Sequence, residues 1–168
     1  QGVDILVRAV ALLKEDFPSI KLLLIGDGEM RALVENICKT LKVSCEITGF
    51  LPHEEALRRL AMLDVLILPR RRTSVTERII PIKVIEAWAL GIPVIVTKHQ
   101  VFLDYQIKNY EDVIYCEPSP ASVANAILNL LADRVLKKTL EENGPKLAER
   151  FDYQKIAERI TKDIKKIT

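Results

Sequence analysis

Glu86 is an ionisable residue placed where core packing has little use for one. It lies on a short apolar helix in Glu86-Ala-Trp-Ala-Leu-Gly-Ile-Pro-Val-Ile95, ahead of a helix stop and a buried strand. Gly91 can close that helix in the left-handed conformation, Pro93 prevents its continuation, and Val94-Ile95-Val96 reads as an interior strand. A carboxylate in that position can accept hydrogen bonds from the hydroxyl groups of a ligand lying over a sheet edge. Lys83, three residues earlier, shares its helical face; the same spacing also makes a local ion pair worth about 0.2–0.5 kcal/mol. The backbone N–H groups of Ile82 and Lys83, with the helix dipole behind them, suit a phosphate.

Three loops follow apolar runs and offer further chemistry. Gly26-Asp27-Gly28 keeps a backbone clear of side chains, as a close ligand approach requires, and a tight strand-to-helix turn would use the same residues. It lacks the third glycine of a dinucleotide fingerprint, and no phosphate-loop lysine follows it. Gly49-Phe50-Leu51-Pro52 is a second such turn, able to offer backbone groups to a flat base or simply to fix chain direction. The stretch from Pro69 to Pro81 is long for a connection and carries Arg70, Arg71, Arg72 and Arg78. Such a run is either a solvated surface or, leading into a helix N-terminus, a holder of anions.

The elements that must position these residues alternate along the chain. Helical spacing over 3–16 and 29–41, and again over 53–62, is interleaved with short apolar strands at 21–25, 45–48 and 64–68. The Glu86 helix leads to a strand at 94–97, a less regular stretch follows, and another strand is expected at 112–116. From Ser119 the pattern is helical almost throughout, with Ser119 or Ser122 as N-cap. Short apolar strands separated by helices predict a doubly wound α/β domain, a parallel sheet with helices on both faces. Ligands of such sheets sit beyond the carboxyl ends of the strands, where the three loops fall.

Composition narrows the function classes. The 168 residues are expected to form one domain with a full core, and 49% hydrophobic with 29% charged residues is an ordinary globular balance. A net charge of +2 and a 5% aromatic content argue against nucleic acid. Cys38, Cys45 and Cys116 have no metal-like spacing and there are two histidines, His53 and His99, so no metal is expected and the thiols read as buried and reduced. No apolar run approaches the length of a membrane span.

The order of elements, with the residues at their ends, resembles the C-terminal half of a family-four glycosyltransferase of the two-domain GT-B fold. It is closest to the group 1 transferases of polysaccharide biosynthesis. The matching pieces are Gly2 to Leu12, Leu24-Ile-Gly-Asp-Gly-Glu29, Thr48-Gly-Phe-Leu51, Ala61 to Pro69, Glu86 to Val96, and Phe151-Asp-Tyr153 opening a final helix. The resemblance implies a nucleotide-sugar donor bound by this domain, a retaining transfer without a bound metal or other cofactor, and a glycan or lipid-linked acceptor held by a separate N-terminal domain. It assigns Glu86 to the donor ribose, the loop before it with Ile82 and Lys83 to the diphosphate, and Gly26, Gly28, Phe50 and Leu51 to the neighbourhood of the nucleotide. The family's partner glutamate would fall at position 78, where this chain has Arg78; Glu77 stands one position before it. Glu77 and Arg78 are therefore the candidates for a catalytic role. Pro81-Ile-Lys-Val-Ile-Glu86 is similar to the Pro-x-Lys-x-x-Glu segment of polysaccharide-building members.

The family's Gly-Arg pair and lysine, which hold the donor diphosphate, fall upstream of the matching segment. This stretch alone is accordingly expected to bind nucleotide weakly and not to transfer sugar. Residues 152–168 read as an amphipathic helix that packs on its own domain or crosses toward the acceptor domain, leaving an apolar face for self-association. Its lysines could also touch an anionic membrane surface, and a cytoplasmic protein, at the membrane face or away from it, is the expected setting. Two other readings share the architecture. One is the half of a GT-B sugar-nucleotide epimerase, with His53 and His99 as acid/base candidates; the other is a non-catalytic nucleotide-sugar-binding subunit.

Overall fold

The structure, a computed structural model, describes residues 2–152. The described elements run α1 (Val3–Leu13), β1 (Leu22–Leu24), α2 (Arg31–Leu41), β2 (Cys45–Ile47), α3 (His53–Leu60), β3 (Leu66–Leu68), α4 (Ile82–Ala89), β4 (Val94–Thr97), α5 (Gln100–Asp104), β5 (Ile114–Cys116), α6 (Pro120–Ala132) and α7 (Arg134–Ala148). The final helix expected over 152–168 lies outside the described residues, apart from Asp152.

All strand pairs are parallel, as short apolar strands separated by helices require. β1 pairs with β2, setting Leu22 against Cys45 and Leu24 against Ile47. β4 lies between β3 and β5, with Leu66 against Val94 and Ile95 against Ile114. Among the described residues no ladder joins the two groups of strands. They share a core instead: Leu22, Ile95 and Ile114 are buried in one cluster, with Leu24, Ile47 and Ile67 packed against it. Val94 and Val96 point the other way, into a second cluster with Val84, Trp88 and Phe102. The strict alternation along β4 thus feeds two cores, so all four of its residues are buried. Helices cover both faces, which makes this the doubly wound arrangement expected from the sequence.

Three local differences from the sequence reading have physical causes. The helical tail is interrupted at Asp133, whose side chain accepts from the N–H groups of Val135 and Leu136 at 2.9 Å each and so starts α7 afresh. The less regular stretch contains α5, whose start is held by a distant side chain. The α1 pattern ends at Leu13, ahead of a turn over the polar residues that follow. Ser119 is the N-cap of α6, accepting from Ser122 N–H at 3.3 Å with Pro120 behind it. Cys38 and Cys116 are buried and Cys45 is half-buried; burial pushes the Cys45 and Cys116 thiols up to about 12. Among the described residues no helix is long and apolar enough to cross a membrane.

Candidate functional site

The site is built on α4, and α4 is held from behind. Val84, Ala87 and Trp88 are fully buried on its inner face. Gly144 of α7 approaches so closely that a Cβ there would lie 3.0 Å from the Trp88 carbonyl oxygen. Phe151 stacks on Trp88 with ring centroids 5.9 Å apart. Gly91 ends the helix with φ +67°, the left-handed turn that its sequence predicts, and β4 follows at once. These contacts fix the direction in which the other face of α4 points.

That other face carries Lys83 and Glu86. The Glu86 side chain is only 13% exposed, with Lys83 Nζ 2.9 Å from Oε2 and His53 Nδ1 3.9 Å from Oε1. The Lys83 contact is an ion pair without hydrogen-bond alignment, so buried Oε2 has no hydrogen-bond partner among the described residues. A largely buried carboxylate with an unfilled lone pair is costly unless something donates to it. Pro81 opens α4 with no side-chain cap, and the N–H groups of Ile82 and Lys83 find no acceptor among the described residues. An uncapped helix start beside a half-buried acceptor can take a phosphate and a hydroxyl-bearing group side by side.

The two glycine turns meet next to this face. Gly26 and Gly49 form an isolated bridge, and Gly26 N–H donates to Thr48 Oγ1 at 3.2 Å. Gly26 has φ +126° and Gly49 φ +69°, so both turns use backbone conformations that side chains disfavour. A Cβ at Gly26 or Gly28 would meet no atom within 4 Å, so both sit in open space. Phe50 beyond the second turn is 87% exposed, an unusual setting for a large aromatic ring. Two residues past Leu51, His53 opens α3 and reaches Glu86. His53 thus brings the start of α3 to the Lys83–Glu86 face of α4, while Gly26 is bridged to Gly49 just before Phe50. Sequence reading treated His53 as an acid/base candidate and did not place it beside Glu86, because nothing local marks a contact between two elements so far apart in the chain.

The arginine loop divides into two classes. Arg71 grips Asp4 through two hydrogen bonds of 3.1 and 2.7 Å, and its guanidinium holds the Asp4 carboxyl below the usual value. Arg72 lies 3.3 Å from Glu77 and 4.0 Å from Glu117. Arg70 is half-buried, with only the Ile79 carbonyl oxygen 3.5 Å from its Nη1, and Arg78 is exposed; neither has a carboxylate partner among the described residues. Burial lowers the Arg70 pKa from its ordinary value.

Glu77 is committed elsewhere. Its Oε2 accepts from Gln100 N–H at 2.6 Å, its Oε1 lies 3.2 Å from His99 Nδ1, and its carbonyl accepts from Val101 N–H at 3.0 Å. It caps α5 from a distance, and the Gln100 N–H, then the His99 ring, hold its carboxyl below the ordinary value. His99 is 2% exposed and its Nε2 has no partner among the described residues. No described group of three His, Cys, Asp or Glu side chains is placed to hold a metal ion. A broad open groove of about 950 Å³ lies elsewhere, between Tyr110 and the α6–α7 corner at Leu131 and Val135, and gathers none of the groups just described.

Comparison with known proteins identifies the family and the fold. The family described as "Glycosyl transferases group 1" matches residues 1–147. A glycosyltransferase of Methanocaldococcus jannaschii, MJ1178, is 27% identical over 156 residues, covering 92% of this chain and 42% of the relative. The amylovoran biosynthesis glycosyltransferase AmsK of Erwinia amylovora is 28% identical over 102 residues, covering 59% of this chain and 25% of its own length. Among solved structures, HepE of Anabaena in complex with UDP-glucose superposes with a TM-score of 0.78 at 21% identity, over 97% of this chain and 44% of that one. The chain thus spans less than half the length of these relatives.

Proposed function

Because the chain belongs to the group 1 glycosyl transferases, we propose that it is the donor-binding half of one, a single nucleotide-sugar-binding domain over residues 1–168. The observation that carries this reading is Glu86, a largely buried carboxylate with an unfilled lone pair beside the uncapped start of α4. Glu86 accepts from the ribose hydroxyls of the donor, with Lys83 holding it in place. The N–H groups of Ile82 and Lys83 receive the diphosphate. The glycine turns and Phe50 with Leu51 leave space and an apolar face for the base. HepE, of the same fold, holds UDP-glucose, which supports a nucleoside diphosphate sugar as donor here.

Transfer proceeds with retention at the sugar carbon and needs no metal. As the glycosidic bond to the diphosphate breaks, negative charge gathers on the leaving oxygens, and preorganised N–H groups and a helix dipole stabilise that charge. The acceptor, a glycan or a lipid-linked sugar, is held by the rest of the whole protein, and the reaction takes place in the cytoplasm or at the cytoplasmic membrane face. AmsK, named as an amylovoran biosynthesis glycosyltransferase, supports that acceptor class.

A calorimetric titration of this chain with UDP, GDP and ADP tests the reading. One nucleotide is expected to bind in the millimolar range or tighter, and Glu86→Ala to weaken it about tenfold, as loss of a charged hydrogen bond would. Absence of binding by all three nucleotides, or equal binding by the variant, would overturn it.

A further inference from the structure

Resting on the donor reading above, we propose that the sugar carried by this donor is acidic, and that Arg78 and Arg70 recognise its carboxylate. The groups along the carboxyl edge follow an order. His53 and Glu86 mark one flank, the open N–H groups of Ile82 and Lys83 come next, and the Pro69–Pro81 loop extends from them to α5, where Glu77 is fastened to Gln100. A nucleotide with its ribose on Glu86 and its diphosphate on the α4 start therefore directs its sugar toward that loop.

The loop is chemically one-sided. Its single acidic residue is Glu77, whose two oxygens are already taken by Gln100, His99 and Arg72. Two of its four arginines are neutralised, Arg71 by Asp4 and Arg72 by Glu77. The other two are not. Arg70 is half-buried beside Ile79, the residue next to Arg78, so both lie on the same short stretch of the loop. Lys98, exposed at the end of β4, also has no carboxylate among the described residues. A neutral sugar needs a mixture of donors and acceptors from its site, and this loop has no uncommitted carboxylate to offer. A half-buried guanidinium without an anion carries a desolvation cost that a ligand carboxylate relieves, and the planar fork of arginine matches a carboxylate with two hydrogen bonds. The diphosphate is already served by the N–H groups at the α4 start, which leaves the arginines for a further negative group.

The test compares UDP, UDP-glucose and UDP-glucuronate binding to this chain, and to Arg78→Gln, by calorimetry. UDP-glucuronate is expected to bind about tenfold more tightly than UDP-glucose. In Arg78→Gln that preference is lost while UDP binds as before, which also shows that the variant is folded. Equal affinity for the glucose and glucuronate donors with UDP still bound overturns the proposal and leaves the donor reading standing. Loss of UDP binding in Arg78→Gln overturns it as well, since the arginine would then hold the diphosphate. If none of the three ligands binds the unaltered chain, the acidic-sugar proposal falls, and the donor reading falls with it only if GDP and ADP also fail to bind.

Discussion

Glu77 and Glu86 lie on either side of the start of α4, and their surroundings set them apart. Glu86 has only the Lys83 ammonium and the more distant His53 ring beside its oxygens, with no aligned hydrogen bond to Oε2, whereas Glu77 has both oxygens hydrogen-bonded at α5. Glu77 therefore fastens the loop to the start of α5. Its lowered pKa gives a signed pH effect. The ionised carboxylate stabilises the fold fully above the ordinary value of 4.5, and that stabilisation is lost as pH falls through the depressed folded value. Glu77→Gln should lower the melting temperature at neutral pH, and the gap to the unaltered chain should close on acidification toward about pH 3. A gap that is the same at both pH values would show that the charge does not matter. At this scale the sequence revealed what is local. Lys83 and Glu86 share a helical face by spacing alone, but the Glu77–Gln100 contact joins residues 23 apart and the His53 contact joins two helices, so neither left a mark in any one segment.

The elements matter through where they stop. Gly91 ends α4 with φ +67°, and a Cβ there would lie 3.3 Å from the Glu141 carbonyl oxygen on α7. Gly91→Ala should cost about 1–2 kcal/mol in urea unfolding, from left-handed strain and a tight contact. Gly28→Ala, with no positive φ and no neighbour within 4 Å, should leave stability nearly unchanged. Equal losses in the two variants would contradict the assignment of Gly91 as the stop that orients Glu86. Helix stops and strands of this kind were legible because glycine, proline and apolar runs act within a few residues. The break at Asp133 was not, since an apolar periodic run continues on both sides of it and only the side-chain hydrogen bonds to Val135 and Leu136 reveal the new start. α5 was missed for the opposite reason: its N-terminal N–H groups are satisfied by Glu77, from another part of the chain.

For the whole molecule, alternation of apolar strands and helices was enough to give a parallel, doubly wound arrangement, because parallel pairing obliges the chain to cross over between strands. It did not give the division into a β1–β2 pair and a β3–β4–β5 group, since alternation says nothing of which edges meet. One core lies beneath both groups, and α3 and α4 meet through His53 and Glu86. The site therefore depends on the fold as a unit, with the glycine turns supplied by one group of strands and α4 by the other. The groove at Tyr110 and Val135 offers open volume but gathers none of the groups of the carboxyl edge. The measurement that decides between them is a residue-by-residue map of amide chemical shifts as UDP-glucose is added to the chain. Shifts are expected at Gly26–Gly28, at Phe50–His53 and at Ile82–Glu86, with Tyr110 and Val135 unmoved. Shifts centred on the groove, or none along the carboxyl edge, would contradict the donor reading.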